Sequence, residues 1–410
     1  MREIYLDYNA STPIDPAVTD AMQPLLQSTF GNPSSTHWAG TPAKAALDST
    51  RGEVAGLLGC DPDEVVFTSG GSEANNLALK GVFFALRDKG NHIVTSAIEH
   101  PATITTCKFL ERLGAEVTYL PVDHYGRVNP DHVRGAITPK TILISIMHAN
   151  NEVGTIEPIA EIGGIARHHG VLLHTDAAQS VAKIATDVNA LGVDLLSMAG
   201  HKFYAPKGVG ALYVRRGTPL EPLIHGADHE SGRRAGTESA LLAAALGAAC
   251  KLARDLAPME CVRELRDDFW RALQHHFEHR VVLNGHPEHR LPNTLNVAFP
   301  RNVGADILAR LDGVAASTGS ACHSGRVELS PVLRAMGIAP EVGMGAIRFS
   351  LGRSTTRAEI DRVVEQLIEL HSTEPLSKAE PRRSRRADPS GVRPRRGRTR
   401  GRHRLSSHLP

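Results

Sequence analysis

Between residues 64 and 260 the chain alternates short apolar runs with segments of helical period, and few architectures accommodate that pattern. Val65-Val66-Phe67, Ile93-Val94, Val117-Thr118-Tyr119-Leu120, Ile142-Leu143-Ile144-Ser145-Ile146 and Val171-Leu172-Leu173 read as buried strands. Residues 73–88, 101–113 and 158–169 separate them at helical spacing. Continuous apolar strands need cover on both faces, so the pattern predicts an α/β domain with a mostly parallel central sheet. In such sheets a ligand lies beyond the carboxyl ends of the strands.

At 410 residues the chain exceeds what one hydrophobic core usually holds, so two packed domains are expected. The pattern changes near Pro258. A long helix over about 259–279 precedes Val281-Val282-Leu283 and Thr294-Leu295-Asn296-Val297. A helix near 304–312, a strand at Ile347-Arg348-Phe349 and a last helix at 356–371 follow. These predict a smaller α+β domain over 258–373, beside a large domain over 14–257. Residues 1–13 are expected to pack with the small domain. Residues 374–410 are rich in Arg, Pro, Gly and Ser and poor in apolar residues, which predicts disorder.

Charge divides the chain in the same place. Twelve basic against two acidic residues give 375–410 a charge of +10; the whole chain carries +2, so the other 374 residues carry −8. An acidic body is not a nucleic-acid-binding domain, although the tail's charge permits phosphate contacts of steep salt dependence. No apolar run approaches membrane-span length, and Met1–Asp7 has no apolar signal core. The expectation is a soluble, cytoplasmic protein with no membrane partner. Five widely spaced cysteines without a C-x-x-C pair argue against a disulfide framework or a structural metal site.

Four segments carry chemistry. Thr68-Ser69-Gly70-Gly71-Ser72-Glu73 follows a strand and opens a helix. Its glycines let the backbone approach an anion, the helix start offers free N–H groups, and Ser72 adds a hydroxyl. The same string also reads as an ordinary capped turn, and no Walker loop follows. His174-Thr175-Asp176-Ala177-Ala178-Gln179 ends a strand and sets a carboxylate at the sheet's ligand edge, where Asp also suits a helix cap. In Gly200-His201-Lys202, within a Gly/Pro-rich turn 26 residues after Asp176, Lys202 is a candidate nucleophile rather than a solvated surface amine. Ser317-Thr318-Gly319-Ser320-Ala321-Cys322-His323-Ser324-Gly325 puts a thiol on an expected mobile, exposed loop beside Ser and His, where it is either reactive or a bystander.

In this order the segments resemble the cysteine desulfurases, in the aminotransferase class V branch of the fold-type I pyridoxal-phosphate (PLP) enzymes. The resemblance covers about residues 3–370. It begins at Tyr5-Leu6-Asp7-Tyr8-Asn9-Ala10-Ser11-Thr12-Pro13 and passes through Phe30-Gly31-Asn32-Pro33, Glu99-His100-Pro101 and Asn150-Asn151-Glu152-Val153-Gly154. It closes with Arg233-Arg234-Ala235-Gly236-Thr237-Glu238 and Ile347-Arg348-Phe349-Ser350-Leu351-Gly352-Arg353.

The resemblance implies a PLP enzyme that converts L-cysteine to L-alanine and leaves a persulfide on Cys322 for a sulfur-acceptor or scaffold protein. Lys202 matches the lysine that binds PLP covalently and moves the substrate α-proton. Asp176 matches the partner of the ring nitrogen and Gln179 the donor to the ring's phenolic oxygen. His100 matches the histidine that stacks on the ring and serves as acid/base, and Gly71, Ser72 and His201 match phosphate ligands. Thr237 matches a phosphate ligand from a second subunit, which implies a homodimer with shared sites. Asn151 and Arg348 match the groups that hold the substrate carboxylate; the planar Arg fork suits one bidentately.

The resemblance implies no resident metal, with Cys322 meeting an iron–sulfur cluster only in passing. Ala199 departs from the serine many relatives carry before Gly-His-Lys, which removes one phosphate donor. Selenocysteine lyase is the nearest alternative, through Ser330-Pro331-Val332-Leu333. A sulfur-transfer scaffold, or a protein that binds nucleic acid through its tail, is the alternative of another class. Iron–sulfur clusters, thiolated tRNA, cofactors and thio-modified DNA all stay open as destinations of the sulfur.

Overall fold

The computed structural model describes residues 3–372 apart from Gly319, Ser324 and Gly325; the side chains of 320–327 are also outside the described set. The chain opens with a two-residue strand, β1 (Ile4–Tyr5). Seven strands then build the large sheet: β2 (Val65–Thr68), β3 (His92–Ser96), β4 (Glu116–Leu120), β5 (Thr141–Ser145), β6 (Leu172–Asp176), β7 (Leu195–Ala199) and β8 (Gly210–Val214). Their order is β2-β8-β7-β6-β5-β3-β4. The pairs β4–β3, β3–β5, β5–β6 and β6–β7 are parallel. Only β8 runs against its neighbours β7 and β2, so β2 points the same way as β7.

The predicted strands lie where the apolar runs are, for the expected reason. All five residues of β5 are buried, as both faces of the sheet are covered. In β2, Val65 and Phe67 join the core on one face while Val66 joins the core on the other. The strand Gly210–Val214 was not among the sequence expectations. It follows a Gly/Pro-rich turn and is antiparallel, so it needs no crossover helix to announce it.

From residue 257 the architecture changes. The helix Ala257–Phe277 buries Met259, Val262, Phe269, Leu273 and Phe277 along one stripe. It packs on a four-stranded antiparallel sheet formed by β9 (Val282–Asn284), β10 (Thr294–Ala298), β12 (Ser317–Thr318) and β15 (Ala346–Ser350), with the short strand β11 (Val314–Ala315) between β10 and β12 in the chain. The sequence expected a helix to 312, but it spans Gly304–Leu308. β11 pairs with β1 in parallel, and Ile4 and Leu6 enter the same core as Phe269 and Phe349. Strands β13 (Ser320–His323) and β14 (Arg326–Leu329) form a separate antiparallel hairpin.

Candidate active site

Five strands of the large sheet end at one edge, and the chain leaving each supplies the site. After β2 comes the Ser69–Ser72 turn, after β3 His100, after β5 Asn151; Asp176 ends β6, and Lys202 lies in a 3-10 turn beyond β7. Arg348 arrives from β15 of the second sheet, and Asn9 from the segment after β1. Together they line a cavity of about 550 Å³. Of the residues singled out in the sequence, Gly71, Ser72, His100, Asn151, Asp176, Gln179, His201, Lys202 and Arg348 all face it.

Lys202 Nζ donates to the carbonyl oxygens of Asn9 (2.7 Å) and Ala10 (3.0 Å) and has no close carboxylate partner among the described residues. Burial, reinforced by Arg348, lowers its pKa to about 8 against the opposing pull of Asp176 and Asp7. Asp176 is held on both oxygens: Asn75 Nδ2 donates to Oδ2 at 2.6 Å and Ala178 N to Oδ1 at 2.9 Å. Asp176 thus lines the cavity and closes the turn that follows it, where no helix begins. Asn75 was not singled out in the sequence. Its only signal was its place one helical turn beyond Gly71.

The helix Gly71–Leu86 starts at Gly70, whose φ of +147° few side chains tolerate, and no side chain caps it. A Cβ on Gly71 would come within 3.2 Å of Ala199 Cβ, so the turn passes close to the strand end. Glu73 steadies the turn by accepting from Ser69 N and Arg234 Nε, both at 2.8 Å; burial opposes its ionisation, but these hydrogen bonds prevail and lower its pKa.

His100 caps the helix Pro101–Glu111 by accepting from Ala102 N at its Nδ1 (3.1 Å), which leaves the proton on Nε2. Burial lowers its pKa and that of His201, the latter to about 4, so both rings are neutral at pH 7.

Arg348 donates through Nη1 to Asn151 O (2.9 Å) and through Nη2 to Asp7 Oδ1 (2.7 Å), leaving its buried Nε without a partner among the described residues. Thr237 does not reach the cavity. It is exposed and lines a neighbouring hollow of about 170 Å³ with Ser69, Gly208 and Arg234. Cys322 sits in β13 opposite Val327, in a hairpin rather than an irregular loop, and its side chain is outside the described residues. Of the other cysteines, burial pushes the Cys60 and Cys107 thiols up to about 12 and Cys250 higher still.

The cavity fits a phosphorylated pyridine aldehyde. Gly71, Ser72 and His201 could hold a phosphate, and His201 Nδ1 is a buried polar atom without a partner among the described residues. Asp176 could pair with a ring nitrogen, and Lys202 offers an amine for the aldehyde.

A model of the aminotransferase class-V family matches residues 4–363. The cysteine desulfurase IscS of Dictyoglomus turgidum is 50% identical over 375 residues, which is 90% of this chain and 95% of that protein. A solved NifS-like protein superposes with a TM-score of 0.85 at 34% identity, covering 91% of this chain and 100% of its own. The structure of SspA in complex with cysteine superposes with a TM-score of 0.78 at 38% identity, over 86% of this chain and 100% of that one.

Proposed function

Because the chain belongs to the aminotransferase class-V family, and within it to the cysteine desulfurases, we propose that it draws the sulfur of L-cysteine onto Cys322 and releases L-alanine. PLP is its cofactor and, when bound, supplies the electron sink for the pair released at the substrate Cα. What supports the reading is a lysine of lowered pKa, a clamped aspartate and an arginine around one cavity at the strand ends.

Each residue has a part in this reading. Lys202, neutral in a useful fraction near pH 8, takes the proton from Cα and returns it later. Asp176, fixed by Asn75 and Ala178, keeps a proton on the ring nitrogen. Gln179 would donate to the cofactor's phenolic oxygen, and His100 would serve as a neutral acid/base beside the ring. Gly71, Ser72 and His201 hold the phosphate, joined by Thr237 of a second copy in a homodimer.

Asn151 and Arg348 hold the substrate carboxylate; the Arg348 fork is already aimed by Asn151 O and Asp7. The Cys322 thiolate attacks the substrate sulfur. An S–S bond forms as the C–S bond breaks, and the electron pair stays on the three-carbon fragment, which is protonated and leaves as alanine. The persulfide then passes to an acceptor or scaffold protein. No described helix is long and apolar enough to cross a membrane, and we assign the enzyme to the cytoplasm. Nucleic acid is a partner only through the basic tail 375–410, which lies outside the described residues.

The test is incubation of the PLP-loaded protein with L-cysteine and, separately, L-selenocysteine, quantifying alanine and sulfur on Cys322. Alanine with a Cys322 persulfide from cysteine is expected. Cys322→Ser should keep bound PLP and lose persulfide formation by more than a hundredfold (on the order of what a lost nucleophile costs). Alanine from selenocysteine alone would make the enzyme a selenocysteine lyase, and sulfur transfer retained in Cys322→Ser would remove that residue's role.

A further inference from the structure

A second lysine lies beside the first, and neither the sequence motifs nor the proposed reaction uses it. Lys183 is only 8% exposed, inside the protein four residues past Gln179 in the turn that follows β6. Its Nζ donates to Gln179 Oε1 at 2.8 Å and to Asn9 Oδ1 at 3.2 Å, and no carboxylate pairs with it among the described residues. A buried amine without a counter-ion is costly, and burial together with Lys202 and Arg348 pushes its pKa well below the ordinary ammonium range.

The chemistry of the contacts is one-sided. An ammonium has only donors and a neutral amine has two donors and one lone pair, whereas a carboxamide offers an oxygen at one end and an NH2 group at the other; both contacts seen here are donations from Lys183 to amide oxygens. The backbone carbonyls of Asn9 and Asn151 take the NH2 ends of Gln179 and Asn9, and Lys183 holds both amides in that sense by donating to their oxygens. Gln179 must turn Oε1 inward, which leaves Nε2 toward the cavity; one N–H goes to Asn9 O at 3.0 Å and the other has no partner among the described residues. Asn9 must likewise turn Oδ1 toward Lys183 and Asn293 Nδ2, which leaves its Nδ2 for Thr294 Oγ1 (2.8 Å) and Asn151 O (3.2 Å). Asn151 O is the same carbonyl that aims Arg348.

We propose that Lys183 is a positioning residue: it locks the Gln179 amide with its donor facing the cofactor and the Asn9 amide with its donor facing the loop that aims Arg348. The proposal rests on the reading of Gln179 as a PLP ligand.

The experiment titrates apoprotein with PLP and follows the rise of the bound cofactor's visible absorption. Wild type, Lys183→Met, Gln179→Ala and the double variant are compared. Lys183→Met keeps the length and removes the donors. It should weaken PLP binding roughly three- to tenfold, the worth of one well-placed hydrogen bond. In the Gln179→Ala background the same change should add less than about twofold, because the amide it orients is gone. A plain structural role would instead give effects that multiply. Unchanged affinity in Lys183→Met, or full multiplication in the double variant, would overturn the proposal. Failure of wild-type apoprotein to take up PLP would overturn the underlying reading instead. Should Lys183→Met not fold by circular dichroism, Gln179→Glu and Gln179→Leu carry the test. Both lose the donor that faces the cavity, so both should bind equally weakly, and wild-type binding by Gln179→Glu would overturn the assigned orientation.

Discussion

An exposed lysine amine stays protonated to beyond pH 10, but Lys202 sits where burial and the nearby Arg348 charge bring its pKa to about 8. Only the neutral amine attacks an aldehyde. The rate at which apoprotein takes up PLP, followed by absorbance, should therefore climb about tenfold per pH unit below its midpoint and level off near pH 8. A rate still climbing steeply at pH 9.5 would mean an unperturbed lysine. The thiols point the other way, since Cys60 and Cys107 are pushed up to about 12 and are not thiolates at neutral pH. At this scale the sequence named the residues whose own chemistry is distinctive, such as Lys202, Asp176 and Arg348. It did not name Asn9, Asn75 or Lys183. Their importance comes from what the fold brings to them, as where Asn9 accepts Lys202 through its carbonyl and touches Thr294 across 285 positions of chain.

Among the elements, the segment that carries Thr237 depends on an ion pair beside the end of β2, where the Ser69–Ser72 turn begins. Arg51, on the helix Gly40–Leu58, grips Glu230 with both Nη atoms at 2.9 and 2.8 Å, while Phe67 N of β2 donates to the same carboxylate at 2.9 Å. The Glu230 side chain is fully buried, and Glu230 and Ser231 are both held in the left-handed region at φ 52° and 57°. A charge left alone in such a place is expensive, whereas an apolar pair of similar volume need not be. Glu230→Gln should lower stability by about 3 kcal/mol in urea unfolding, and Arg51→Met with Glu230→Leu should lower it by less. Equal losses in both proteins would mean that the pair's charges are immaterial. Element type was readable wherever an apolar run or a helical period stood alone, as in β5 and the helix Ala257–Phe277. The strand Gly210–Val214 was not, because it is antiparallel and stands outside the alternation with helices that marks the parallel strands. The Cys322 segment was equally opaque, since its Ser and Gly content reads as loop although its backbone pairs as a hairpin.

For the whole molecule, the proposed dimer with shared sites makes a prediction of its own. Thr237 stands outside the cavity of its own chain, so Lys202→Ala and Thr237→Val should be inactive or weak as separate homodimers. Co-expressed, they should recover activity, because each mixed dimer contains one site with both residues intact. The expected level is about a quarter of wild type for random pairing of two chains. No recovery in verified mixed dimers would mean that Thr237 serves its own chain or none. The change of pattern near Pro258 falls where the helix Ala257–Phe277 begins and the four-stranded sheet follows. The way the first residues bind both parts was not legible in the sequence, and it has a temporal consequence. β1 has its partner about 310 positions away in β11, and Asn9 needs Asn293, Thr294 and Ser350. At a synthesis rate of roughly 5–20 residues per second, those partners leave the ribosome about 15–70 seconds after Asn9 does. The nascent chain thus makes its sheet early and finishes its catalytic pocket last, so that competence to hold the cofactor is a late checkpoint of biosynthesis.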